Sequence, residues 1–113
     1  MIRYEHWPEA KVLQRVRLRQ DHTPTGRTRH YDDERLLPPP AELVLCRYDS
    51  LRQLTTAKPA RKHVTYYLFY LDDSGAEMTD LAPVSLDDGL AQAEGEFGIK
   101  PEEWELIGDD TPL

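Results

Sequence analysis

One cysteine, Cys46, stands in 113 residues, so the chain can form no disulfide of its own and does not read as a secreted, stapled scaffold. A reducing cytoplasm is the expected compartment. No apolar run approaches the roughly 20 residues that span a bilayer, and the opening MIRYEHWPEAKV lacks the continuous apolar stretch of a signal peptide, so no membrane partner is expected. Glycine is sparse as well. The six glycines are scattered and begin neither a G-x-G-x-x-G nor a Walker pattern, which leaves nucleotide binding, and cofactor binding generally, without support. Positive charge is missing from the back of the chain: after Lys62 the only cation is Lys100.

That last shortage is half of a sorting by position. Up to His63 there are thirteen cations against eight acids, a balance of +5; beyond it there is one cation against thirteen acids, a balance of −12. Such an imbalance speaks of partners and solubility rather than of fold. The 39% hydrophobic and 31% charged shares are those of a globular chain, and the length suits one domain, 1–113, burying roughly 65% of its unfolded surface. Nine prolines and a mean hydropathy of −0.69 point to irregular stretches, above all a basic loop at about 21–41 that ends in Pro38, Pro39 and Pro40 and fits either a long hairpin tip or a flexible linker.

From Lys11 to Gln20, Val12, Gln14, Val16 and Leu18 share one parity while Leu13, Arg15, Arg17 and Arg19 take the other, a strand with one wet, basic face; a helix opening at Pro8 is the competing reading. Glu42 to Tyr48 has strand length and composition, and LRQLTTAKPARK after it returns to loop chemistry. His63 to Leu71, rich in aromatic and β-branched residues, runs into Asp72-Asp73-Ser74-Gly75, a hairpin turn from which Ala76 to Leu81 returns antiparallel. Ser85 caps a helix with Asp88 three residues on. Leu86, Leu90, Ala93 and Phe97 form its core stripe, Gly98 ends it, and a short Pro101 turn leads to a last small element from Trp104 to Ile107. The expected fold is α+β, an antiparallel sheet with one main C-terminal helix packed on one face.

Little in the chain suggests catalysis. His6, His22, His30 and His63 have no zinc-motif spacing, and His22 and His30 read as solvated loop side chains. Cys46, inside an apolar strand, reads as a small hydrophobe. DDSGAEMTD has the composition of a calcium loop without its ligand spacing. No catalytic residue, metal ligand or enzyme activity is expected. Arg15, Arg17, Arg19, Arg27, Arg29 and Arg35 could touch phosphates, but no aromatic residues interleave with them. An adaptor that binds nucleic acid or an acidic partner through this basic half is therefore the alternative reading. The acids offer more. Asp88, Gln92, Gly95 and Glu96 are expected opposite the helix core stripe, Glu77 outward if Met78 points in, Asp72 and Asp73 at the hairpin tip, and Glu102, Glu103 and Glu105 at the end: together an acidic surface that steers a cationic partner.

YYLFYLDDSGAEMTD followed by SLDDGLAQAEGEFGIKPEEW resembles, over Tyr66 to Ile107, small bacterial immunity proteins of polymorphic and contact-dependent toxin systems. The pattern departs at Leu81, Ala82 and Pro83, where similar proteins carry an aromatic and a histidine. The resemblance implies a cytoplasmic inhibitor that docks on a cognate toxin; the acidic surface adds the expectation that the toxin presents a basic one, and such binding needs no catalysis. Its partner-binding residues are expected to be Asp72, Asp73, Glu77, Asp88, Glu96, Glu102 and Glu103.

Overall fold

A computed structural model of the protein describes residues 10–26, 30–32, 34–52 and 61–110. Along the chain come β1 (Ala10–Arg17), the short strands β2 (Tyr31–Asp32) and β3 (Arg35–Leu36), β4 (Glu42–Arg52), β5 (Arg61–Leu71), β6 (Glu77–Leu81), helix α1 (Leu86–Phe97), a 3-10 turn (Pro101–Glu103) and β7 (Glu105–Leu106). Five strands form one antiparallel sheet in the order β6-β5-β4-β1-β7, and α1 packs against one face of it, an α+β fold. No helix among the described residues is long and apolar enough to cross a membrane.

The aromatic and β-branched run is the axis of this sheet. β5 pairs with β4 without a break from Glu42↔Leu71 to Arg52↔Arg61, so both strands outlast their expected ends: Leu51, Arg52, Arg61 and Lys62 belong to the ladder rather than to a loop. Both faces of the pair are buried. Leu43, Leu45, Leu68 and Tyr70 meet Ala93 and Phe97 of α1 together with Ile99 and Trp104, whereas Val44, Cys46, Phe69 and Leu71 make a second cluster on the other face. The continuous apolar character of ELVLC and YYLFYL is the signature of that two-sided burial.

β1 is a strand, not a helix, but its two faces are not the expected parities. A bulge at Leu13 shifts the register, so Val12 lies opposite Cys46 while Val16 lies opposite Leu43, on the other side of the sheet. One extra residue reverses every side chain beyond it. Leu13 itself is fully buried, and its carbonyl accepts from the backbone of both Ile107 (2.9 Å) and Gly108 (3.0 Å), which pins β7 and the chain after it to β1. A second bulge, at Met78, does the same for β6: Glu77 pairs with Leu71, whereas Thr79, expected on the same face as Glu77, pairs with Tyr70 on the helix side.

α1 follows its caps. Ser85 accepts from the Asp88 amide at 3.1 Å, Asp88 in return accepts from the Val84 amide, and Gly98 ends the helix at φ 72° with its amide on the Glu94 carbonyl. Gly98 is at a left-handed position that glycine tolerates best. The described part of the 21–41 loop is tied down rather than loose. Leu18 and Ala41 close its base at 2.9 Å, Pro40 is buried, the β2–β3 hairpin forms within it, and Thr25 bonds the carbonyls of Glu96 (backbone amide, 2.8 Å) and Gly95 (hydroxyl) at the C-terminal end of α1.

Candidate functional site

The acids of the back half do not gather on one patch. Four cations of the front half neutralise some of them: at the β1–β7 edge Lys11 on Asp109 (2.7 Å), Arg15 on Glu105 (2.9 Å) and Arg19 on Glu103 (2.7 Å), and at the tip of the β5–β6 hairpin Arg17 on Asp73 (3.3 Å). The sheet order is the cause of the edge pairs, since it places β1 next to β7. Arg15, Arg17 and Arg19 are thus occupied by the protein's own carboxylates, while Arg27 and Arg29, like His6, lie outside the described residues. His63 lies on β5, with its side chain outside the described ones.

Of the seven acids expected to meet a partner, three are each held by several donors of the fold. Asp72 accepts from the Ser74 hydroxyl (2.7 Å) and from the Ser74 and Ala76 amides, which closes the hairpin turn; these bonds, the Ser74 hydroxyl first, hold its carboxyl below the usual aspartate range. Glu103 is clamped by the Lys100 amide, His22 and Arg19, the Lys100 amide and His22 being chiefly responsible for holding its carboxyl low. Glu96, expected on the outer face, is buried, with only 3% of its surface exposed. At about 100° per residue it precedes Phe97 by one step, so it flanks the core stripe instead of opposing it, and the loop through Thr25 and His30 covers that flank. Asp73, Glu77, Asp88 and Glu102 are exposed, as are Asp87 and Glu94, neither of which is among the seven.

His22 and His30 are not solvated loop residues. His22 is 5% exposed. Its Nδ1 accepts from the Arg19 amide at 3.0 Å, so the proton of the neutral ring sits on Nε2 and is donated to Glu103 Oε2, also at 3.0 Å. Asp21, His22 and Glu103 lie close enough to hold a cation, with possible ligand atoms within 4.8 Å of one another. The bonding opposes it: both imidazole nitrogens are engaged, and the Arg19 guanidinium stands on both acids, 3.5 Å from Asp21 and 2.7 Å from Glu103. The group is a charge clamp between the end of β1 and the 3-10 turn.

Glu96 is the centre of the other polar cluster. Its Oε2 accepts from the Tyr70 hydroxyl in a short hydrogen bond and from Gln92 Nε2 at 2.9 Å, and its Oε1 lies 2.8 Å from His30 Nε2. The His30 ring tilts over Tyr70 with centroids 4.5 Å apart. Burial first, then the bond to Glu96 and its charge, push the Tyr70 phenol well above its ordinary value of 10.0, so it stays protonated and donates. Above this cluster opens a pocket of about 390 Å³ whose walls include Pro24, Leu37, Pro39, Met78 and Phe97. Cys46 packs among Val44, Phe69 and Leu71 on the other sheet face, and burial pushes its thiol up to about 12, so it is no thiolate at neutral pH.

In sequence, Glu96 sits between the helix stripe and its solvent face, and His30, Tyr70 and Gln92 come from a loop, a strand and a helix. Only the pairing of a glutamine and a glutamate four apart, Gln92 and Glu96, was a local signal that they could bond on one helix flank. No family model, curated protein or solved structure matches the chain.

Proposed function

We propose that the protein is a non-enzymatic binding protein of the immunity type, which neutralises a bacterial toxin by docking a basic toxin surface against the outer side of α1 and the turn that follows it. The observation that carries this reading is the segregation of charge. Lys11, Arg15 and Arg19 of the front half are spent on acids at the β1–β7 edge, whereas Asp87, Asp88, Glu94 and Glu102 are exposed and, among the described residues, have no Lys or Arg within 4 Å. Asp87 and Glu94 are seven residues apart and share one stripe of the helix. Unneutralised carboxylates on one rigid element act where a cationic cleft would otherwise take phosphates, and they steer encounter more than they add raw affinity. Asp72, Asp73 and Glu103 leave the interface proposed from sequence, because donors within the protein answer their carboxylates, and Glu96 leaves it because it is buried.

The test is calorimetric binding to the toxin encoded beside the protein's own gene, at low salt and at roughly physiological salt. The unaltered protein binds more weakly as salt rises, and Asp87→Lys combined with Glu94→Lys loses at least about tenfold in affinity, the scale of one or two desolvated charge contacts. An isolated or metabolic locus, or a complex indifferent to both salt and charge reversal, removes the reading.

A further inference from the structure

The buried Glu96 carboxylate poses a question that folding alone does not answer. A carboxylate taken out of water is costly unless it is paired and fully hydrogen-bonded. Among the described residues no Lys or Arg lies within 4 Å of Glu96; its partners are Tyr70, Gln92 and His30. An apolar residue at this flank would cover Phe97 without that cost, and the polar centre stands at the base of an open pocket rather than in sealed core.

The described lining of the pocket is proline, leucine, methionine and aromatic surface around one acid, one histidine and the hydroxyls of Tyr70 and Thr79, with no Lys or Arg. A carboxylate offers about four acceptor sites; Oε2 fills two, with Tyr70 and Gln92, while Oε1 fills one, with His30, so among the described residues Oε1 keeps a site for a further donor. A volume of about 390 Å³ is at the small end of the roughly 300–1,000 Å³ of ligand sites.

We propose that this pocket binds a small apolar primary amine in its ammonium form, the nitrogen donating to Glu96 Oε1 and the apolar body lying against Leu37, Pro39 and Met78. An anion is disfavoured, since it would approach a carboxylate in surroundings of low dielectric. A neutral donor of the same shape gains the wall contacts without the charge pairing. The site is distinct from the acidic outer face of α1, and occupation of one does not require the other.

The experiment is a nuclear magnetic resonance titration of the full chain with three probes of one shape: benzylamine, benzyl alcohol and benzoate. Benzylamine is expected to bind in the millimolar range with shifts at Tyr70, Met78 and Phe97, and benzyl alcohol at least about tenfold more weakly, one charge-assisted hydrogen bond apart. Benzoate should not bind. Glu96→Gln brings benzylamine down to the level of the alcohol, whereas Leu37→Trp, which fills the pocket and leaves Glu96 in place, weakens both. Alcohol or benzoate binding as tightly as the amine, an unchanged amine affinity in Glu96→Gln, or no shift at saturating amine overturns the proposal. Should Glu96→Gln fail to fold, the three-probe comparison on the unaltered chain and the Leu37→Trp result decide it.

Discussion

Single carboxylates in this protein differ by what donates to them. Asp88 keeps one side chain–backbone bond and stays exposed, whereas Glu103 gathers the Lys100 amide, His22 and Arg19 and thereby holds the C-terminal turn to the end of β1. Because those donors favour the charged form, the folded Glu103 pKa lies below the ordinary 4.5. A depressed folded value means stability that is present above the unfolded pKa and is lost as pH falls through the folded one. Asp72 acts in the same direction through Ser74 and Ala76. Unfolding by urea followed from pH ~6 down to ~3 should therefore show stability falling below about 4.5, with a shallower acid limb in Glu103→Gln, whose side chain no longer titrates. Equal limbs in the two proteins would mean that the clamp contributes nothing to acid sensitivity.

Elements reveal which parts of the fold are written locally. The hairpin at Asp72 to Gly75, the Ser85 cap, the Gly98 stop and the stripe of Leu86, Leu90, Ala93 and Phe97 all rest on neighbours a few residues apart, and each is where the sequence placed it. The bulges at Leu13 and Met78 depend on a partner strand, so no parity count within β1 or β6 could locate them, and Val12 and Thr79 changed faces as a result. Glu96 was misplaced for a related reason: a helix flank is wet or dry according to what covers it, and here the cover comes from a loop some 70 residues earlier in the chain. Gly89 belongs to the same class. It is buried in α1, and a methyl group there would come within 2.8 Å of Leu45 Cδ1, a side chain that is itself fully buried and has little room to move. Alanine gains about 1 kcal/mol of helix propensity, while overpacking costs about 1–3 kcal/mol. Gly89→Ala is expected to lower the denaturant midpoint by the equivalent of up to about 2 kcal/mol, and a raised midpoint would show that the α1–sheet contact yields easily.

Across the whole molecule the positional sorting of charge becomes a device of assembly, because the acidic end of the chain folds back over its basic beginning. Two adjacent acids at that end make contrasting contacts. Asp109 meets Lys11 at 2.7 Å with most of its side chain in water, at 77% exposure, whereas Asp110 accepts from Arg47 at 2.6 Å and from the Tyr66 hydroxyl at 2.9 Å, beside a guanidinium only 10% exposed. A pair with one partner so exposed is worth roughly 0–1 kcal/mol, since water and salt compete for that carboxylate, although Lys11 itself is 22% exposed. A nearly buried arginine that loses its carboxylate keeps the desolvation cost of its charge, although the partial exposure of Asp110 tempers the loss. Asp110→Ala should therefore cost about 1–2 kcal/mol and Asp109→Ala no more than about 0.5 kcal/mol, measured by urea unfolding of each single variant. The ordering has a second reading in salt: raising ionic strength should shrink the Asp109 effect and leave most of the Asp110 effect, because screening reaches exposed charges and not enclosed ones. Equal losses at the two positions would mean that enclosing the Arg47 guanidinium adds nothing to its pair with Asp110.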